Sequence, residues 1–252
     1  MIGIGSPTFC LTPFARMLEE ISASFGLWEI LSEGEDRLEI ASEGILHGRD
    51  SFGMLYQVHA PLSDVNIGSV HEPMRNAAVR EIKRTIELCH QLEIPLVTVH
   101  PGFVQGIAFL DKAKALEKTK ESVKELASFS SGHSIELVLE NLPANINGTC
   151  TQASELLAVL EGTDLRICFD MGHANTAGQL DEFLELVDMF GNVHLHNNDG
   201  QWDQHNMIDE GSADLEKVIS VLKRGYKGNI IIEATDLESG TRSKTALERL
   251  LG

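Results

Sequence analysis

Six apolar runs in this chain end on, or just before, a side chain that can bind a divalent cation or move a proton: His59, His100, Glu140, Asp170, His196 and Glu233. The stretch Ile167-Cys168-Phe169-Asp170-Met171-Gly172-His173 shows the form most fully. It reads as a short buried strand that ends in a carboxylate, turns at a glycine, and offers an imidazole three residues later. Gly172 supplies the permissive backbone that lets Asp170 and His173 fold into one site. A carboxylate at the end of a strongly apolar run, as in Leu137-Val138-Leu139-Glu140 or Ile230-Ile231-Ile232-Glu233, is costly to bury unless it is paired or bound to a cation. The blander alternatives are a salt bridge for either glutamate, a helix cap for Asp170 and a hydrogen-bonded loop histidine for His173.

The other imidazoles sort by the same test. Tyr56-Gln57-Val58-His59-Ala60-Pro61 and Val97-Thr98-Val99-His100-Pro101-Gly102 are each an apolar strand, a histidine and a proline turn, and the matching form makes both candidates. His194 and His196 lie two apart, so on a strand both point the same way. His196 is then the outer ligand, and His194 is a core residue or one that orients a ligand from below. Asp203 and His205 sit in a polar loop just beyond and join the set through His196. Trp202 and Phe103 lie in loops that would border a pocket, with Asn66 and Arg75 as further lining. His47, His71, His90 and His133 have no partner pattern and read as surface residues.

Something must bring these residues to one place. Eight short apolar runs occur at residues 2–4, 27–31, 55–59, 96–100, 135–140, 165–170, 193–196 and 229–233. Helix-period segments follow at 13–24, 72–92, 110–129, 151–160, 180–190, 214–223 and 243–251, and the second run is followed only by a weak, Glu-rich segment at 36–42. Eight strand–helix units in 252 residues predict an α/β fold, a single (β/α)8 TIM barrel spanning residues 1–252 as one domain. Such barrels carry their chemistry at the C-terminal ends of the strands, where the third to eighth runs all present a ligand-type residue.

Composition narrows the partners. The chain is 42% hydrophobic and 23% charged, as expected of a soluble globular protein. Its formal net charge of −18 argues against a phosphate backbone as partner and suits a protein that collects divalent metal. No basic leader and no long apolar run point to export or a membrane. Cys10, Cys89, Cys150 and Cys168 are scattered without a CxxC, so a reduced, cytoplasmic protein is expected. Gly3-Ile4-Gly5 lacks the rest of a dinucleotide fingerprint, and no serine nucleophile elbow is present.

With these residues in place, the chain resembles the xylose-isomerase-like barrel superfamily over nearly its whole length. That group holds sugar and sugar-phosphate isomerases and epimerases, and also abasic-site nucleases of the endonuclease IV type. The resemblance implies one divalent metal, zinc or manganese(II), held by Glu140, Asp170, His196 and Glu233. It further implies that Glu140 and Glu233 act as acid and base through a metal-bound enediolate, and that His173 orients a hydroxyl. The expected function is therefore a metal-dependent isomerase or epimerase of a small-molecule sugar or sugar phosphate.

The nuclease branch binds three zinc ions through nine ligands. Nine matching positions are present: His59, His100, Glu140, Asp170, His173, His196, Asp203, His205 and Glu233. Asn66-Ile67-Gly68-Ser69 is similar to that branch as well. Against it, Gly200 and its neighbours stand where such nucleases carry a lysine, Gln204 stands where they carry an arginine, and Leu62 stands where a DNA-inserting aromatic is expected. The alternative expectation is thus a trinuclear zinc phosphodiesterase acting on abasic-site DNA, and a non-enzymatic one is a metal-binding module without turnover.

Overall fold

Continuous aliphatic runs such as Leu137-Val138-Leu139 and Ile230-Ile231-Ile232 suit strands buried on both faces, which is the situation inside a closed parallel sheet. The computed structural model describes residues 1–252, apart from the side chain of Asn145. In it β1 (Ile2–Gly5), β2 (Leu27–Leu31), β3 (Leu55–His59), β4 (Leu96–Val99), β5 (Glu136–Glu140), β6 (Arg166–Asp170), β7 (Phe190–Leu195) and β8 (Ile230–Glu233) pair in chain order. All pairs are parallel, and β8 closes on β1 with Glu233 opposite Gly5. This is the (β/α)8 barrel that the spacing predicts.

The helices α1 (Phe14–Ser22), α2 (Leu38–Phe52), α3 (Glu72–Gln91), α4 (Lys112–Gly132), α5 (Ala153–Leu160), α6 (Met171–Thr176), α7 (Leu180–Leu184), α8 (Leu215–Gly225) and α9 (Leu237–Leu251) lie between the strands. Aromatic residues pack the helix layer onto the sheet. Phe14 of α1 stacks on Trp28 of β2 at 4.7 Å, and Phe183 of α7 lies against Phe169 of β6 with ring centroids 6.4 Å apart. Among the described residues no helix is long and apolar enough to cross a membrane, and all four cysteines are free and buried.

Three boundaries differ from the sequence expectation, each for a physical reason. The weak segment at 36–42 is the start of a full 15-residue helix, α2. Its buried stripe is Leu38, Ala41, Ile45 and Gly48, and small residues carry half of it. Gly48 is needed there, because a Cβ would come within 1.9 Å of the Tyr56 hydroxyl. The helix expected over 180–190 ends at Leu184, and Phe190 opens β7 by pairing with Ile167. The last helix starts at Leu237 rather than 243, launched by an Asp236–Ser239 capping box.

Inside the barrel the side chains form layers. Leu96, Val138 and Cys168 make a small apolar cluster of their own. Glu29, Gln57, Thr98, Asn192 and His194 form a buried polar layer, and the residues at the strand ends lie above it.

Candidate metal centre

Glu140 ends β5 at the centre of the barrel mouth and is 1% exposed. Its Oε2 lies 3.0 Å from His59 Nε2 and 3.1 Å from His100 Nε2. Its Oε1 lies 3.2 Å from His194 Nδ1 and 3.4 Å from His173 Nδ1. From β8, Glu233 Oε1 reaches the same His194 Nδ1 at 3.0 Å, and its Oε2 is 3.6 Å from His205 Nδ1. Asp170 Oδ1 is 3.1 Å from His196 Nε2, while Asp203 Oδ2 is 3.2 Å from both His173 Nε2 and His205 Nε2. All nine candidate residues therefore converge on one mouth. Seven of them line a cavity of about 210 Å³, and Asp170 and His196 lie behind that wall.

Local hydrogen bonds aim these side chains. A carbonyl oxygen only accepts, so a ring nitrogen facing one must carry the proton. His59 Nδ1 donates to the Ala60 carbonyl at 2.8 Å, and His173 Nδ1 donates to the Asn141 carbonyl at 2.8 Å. In both rings Nε2 is left for the site. Asn141 also clasps the end of β6, donating to the Asp170 carbonyl at 3.0 Å and accepting from the Asp170 amide at 2.8 Å. Asp170 does cap α6, accepting from the His173 amide at 2.6 Å, and the same oxygen faces His196. Gly172 is helical, so its contribution is space rather than an unusual turn: a Cβ there would sit 2.0 Å from His196 Cε1. His205 is held at φ +48, a strained conformation for a non-glycine residue, as is common where a side chain must be aimed.

The electrostatics test whether these residues fit a metal. Burial would push the Glu140 carboxyl up, but the His194 and His100 imidazoles hold it well below the usual range. Burial acts the same way on Glu233, and His194 and His205 likewise hold it low. Asp203 is also lowered against its burial, by His173 and His205. Burial opposes charge on the imidazoles too. It prevails at His100, whereas Glu140 raises His59, and Asp170 with Asp203 raises His173 well above its ordinary value.

The result is a buried set of anions answered only by histidines competing for the same oxygens. Several of its atoms have no hydrogen-bond partner: Asp170 Oδ2, both ring nitrogens of His196, His100 Nδ1, Asp203 Oδ1 and His205 Nδ1. Orphaned buried acceptors facing one another are what a divalent cation resolves. Four donor groups meet the spacing needed to share an ion: Glu140–Asp170–His194–Glu233, His59–His100–Glu140, His173–His196–Asp203–His205, and Glu140–Cys168–His194. Burial pushes the Cys168 thiol of the last well above its ordinary value, so three groups remain with donors ready for an ion. Mixed nitrogen and oxygen donors suit zinc or manganese(II).

The grouping refines the division between the two β7 histidines. The sequence places His196 with the glutamates and His194 below as a core or orienting residue. In the structure His194 Nδ1 lies within 3.9 Å of Asp170, Glu140 and Glu233, and His196 lies between Asp170 and Asp203. Glu29, in the middle of Leu27-Trp28-Glu29-Ile30-Leu31, was missed, although an acid in an apolar strand is a visible signal.

The looser pocket candidates lie elsewhere. Asn66 clamps two loops through the Phe103 backbone, Arg75 bonds Ser122 on α4, and Trp202 is exposed. Phe103 packs its ring against His100. The apolar wall of the cavity comes instead from Leu31, Leu62, Pro143 and Ile146.

Comparison with known proteins identifies the family of the fold. Residues 38–251 match the family model described as a xylose isomerase-like TIM barrel. The uncharacterised protein MJ1311 of Methanocaldococcus jannaschii is 32% identical, with 99% of this chain and 88% of the relative covered. A solved structure described as a D-tagatose 3-epimerase-like protein is 31% identical with a TM-score of 0.92, covering 99% of this chain and 96% of the other. A probable endonuclease 4 of Mycoplasma capricolum is similar at 22% identity, over 77% of this chain and 72% of its own length. The chain belongs to the xylose isomerase-like TIM barrel family.

Proposed function

We propose that the protein is a divalent-metal-dependent epimerase or isomerase of an unphosphorylated sugar. One observation carries the reading: two glutamates held ionised, Glu140 buried and Glu233 largely so, share a donor group with Asp170 and His194 in a mouth whose lining holds no lysine or arginine among the described residues. The likeness to a D-tagatose 3-epimerase-like protein supports it.

Glu140, Asp170, Glu233 and a β7 histidine would hold the ion, which supplies Lewis-acid polarisation of a substrate carbonyl. One glutamate takes the proton from the carbon beside that carbonyl, leaving an enediolate. The other, after taking up a proton from solvent, delivers it to the opposite face, or the first returns its proton to the neighbouring carbon while the hydroxyl proton passes between the two oxygens. The first outcome is an epimer and the second an isomer. His173 lines the cavity, and its Nε2, 3.2 Å from Asp203 Oδ2, would orient a hydroxyl together with that carboxylate. Leu31, Leu62, Pro143 and Ile146 shield the reacting carbon from water. A phosphate finds no obvious seat, because the first turns of α8 and α9 are capped by the carboxylates of Asp214 and Asp236.

The test is proton exchange. Manganese- or zinc-loaded protein is incubated in D2O with a panel of ketoses that includes D-tagatose, and NMR follows deuterium entering the carbon beside the carbonyl. Exchange with appearance of an epimer or isomer is the expected result. Absence of exchange across the panel overturns the reading.

The three donor groups favour a second reading, a trinuclear zinc phosphodiesterase. Elemental analysis separates the two. One tightly held ion per chain fits the epimerase, whereas three zinc ions with cleavage of an abasic-site duplex establish the nuclease.

A further inference from the structure

Glu29 lies beside His194 at the floor of the cavity and is 3% exposed. Its Oε1 is 2.8 Å from His194 Nε2. Its Oε2 accepts from Asn192 Nδ2 at 2.8 Å and, in a short contact, from Gln57 Nε2. Both oxygens therefore face donors, which is the pattern of an ionised carboxylate. The amides around it are locked in turn. Gln57 Nε2 also donates to Asn192 Oδ1 at 2.9 Å, Asn192 Nδ2 donates to Thr98 Oγ1 at 3.0 Å, and Asn229 Nδ2 donates to Gln57 Oε1 at 3.3 Å. Four strands and the turn before β8 thus hold one carboxylate in one orientation.

That carboxylate decides what His194 presents upward. Two groups face Nε2, the Glu29 carboxylate at 2.8 Å and the Asn192 amide nitrogen at 3.0 Å. The closer, charged carboxylate keeps the proton there and fixes the ring plane, so Nδ1 points to Glu140 Oε1 at 3.2 Å and Glu233 Oε1 at 3.0 Å. These are the two carboxylates to which the acid and base roles are assigned above.

We propose that Glu29 is a positioning residue for the metal centre, acting through His194 to hold Glu140 and Glu233 in the geometry that grips the ion and faces the substrate. Carboxylates behind metal-site histidines typically govern affinity and activity by about ten- to a hundredfold. The inference rests on the metal-centre reading of this mouth.

Manganese(II) is titrated into metal-free full-length protein, with binding read by calorimetry or by loss of the free-ion magnetic resonance signal. Glu29→Gln removes the charge at nearly constant size and should weaken manganese binding about ten- to a hundredfold. With the sites saturated, kcat should fall while KM for the sugar stays within about twofold, since both Glu29 oxygens are taken up by His194, Asn192 and Gln57 although the residue borders the cavity.

A double-mutant cycle with His194→Asn should be strongly non-additive, because one residue acts through the other. If Glu29→Gln does not fold, the exchange variant Glu29→Gln/Gln57→Glu keeps one acid and one amide in the layer but moves the charge away from His194. It should show the same loss of affinity. Unchanged manganese affinity in the variants, or additive effects in the cycle, overturns the role of Glu29. Failure of the unsubstituted protein to bind manganese or zinc overturns the metal-centre reading itself, so the two failures are distinguishable.

Discussion

Two buried polar layers are stacked inside one barrel, and they differ in how well their atoms are partnered. In the lower layer, Glu29, Gln57, Thr98, Asn192 and His194 are joined by hydrogen bonds and ion pairs, with no orphaned side-chain atom among them. In the upper layer, Asp170, His196, Asp203, His100 and His205 each keep a buried atom without a partner. Asp203 and His205 are partly exposed as residues, but their orphaned atoms are as inaccessible as those of the lower layer, so burial of the atoms does not separate the two. The lower one is complete by itself and acts as a platform, because a fully satisfied network specifies one arrangement. The upper one leaves atoms unpaired, which costs stability and, on the proposed reading, is offset when an ion binds.

The largest effect expected from this contrast is chemical. Glu233→Gln preserves shape but removes a base, and turnover should drop by about a thousandfold or more in steady-state assays of the loaded enzyme. Retained turnover would show that the upper layer is not the reactive one. Next in size is the ion itself. Adding manganese or zinc to metal-free protein should raise the melting temperature, because an ion at a hundred times its Kd stabilises by about 2.7 kcal/mol. A protein indifferent to both ions would place its orphaned atoms outside any metal site.

Paired substitutions then separate the layers directly. Asn192→Ala, in the satisfied layer, leaves several buried groups unpaired and should destabilise the metal-free protein by about 2–3 kcal/mol in urea unfolding. Asp170→Asn, in the frustrated layer, removes one of several crowded acids. It should leave the metal-free protein as stable or more so while abolishing most of the metal-induced rise in melting temperature. If both substitutions destabilise alike, the distinction between platform and site fails.

The upper layer was far more legible in the sequence than the lower. Each of its strand-end residues follows an apolar run and breaks it, so a reader scanning for interrupted strands finds His59, Glu140, Asp170 and Glu233 at once. Barrel closure then places them together, since successive strands stand side by side in order. Glu29, Thr98 and Asn192 lie within their strands, and their meaning depends on which face turns inward and at what height. That is set by register, such as the alignment of Asp170 with His194 across β6 and β7. Asn141 illustrates a second blind spot. It follows a candidate ligand and looks like a loop residue, yet its side chain and carbonyl tie β5 to β6 and aim His173.

Asp36 sharpens the contrast by standing outside both layers. It is as buried as Glu140, at 1% exposure, and both of its carboxylate oxygens lack partners. No histidine or cation answers it, so the consequence is reversed: burial, reinforced by Glu35, pushes its carboxyl up to about 7, whereas Glu140 is held low. An orphaned acid alone is therefore a stability defect, and only an orphaned acid among donors is a site. At or below the ordinary value of 3.8 the folded and unfolded chains both tend to carry this proton, and Asp36 adds little slope. Between 3.8 and about 7 the unfolded chain releases the proton while the folded chain keeps it, so stability falls as pH rises, and the loss is complete above that range. Asp36→Asn keeps the shape without the charge. It should raise the melting temperature by about 5 °C at pH 8 and leave it nearly unchanged at pH 4, on the scale of about 2–4 °C per kcal/mol for a chain of this size. A shift of equal size at both pH values would mean that the carboxyl is not being held protonated by its surroundings.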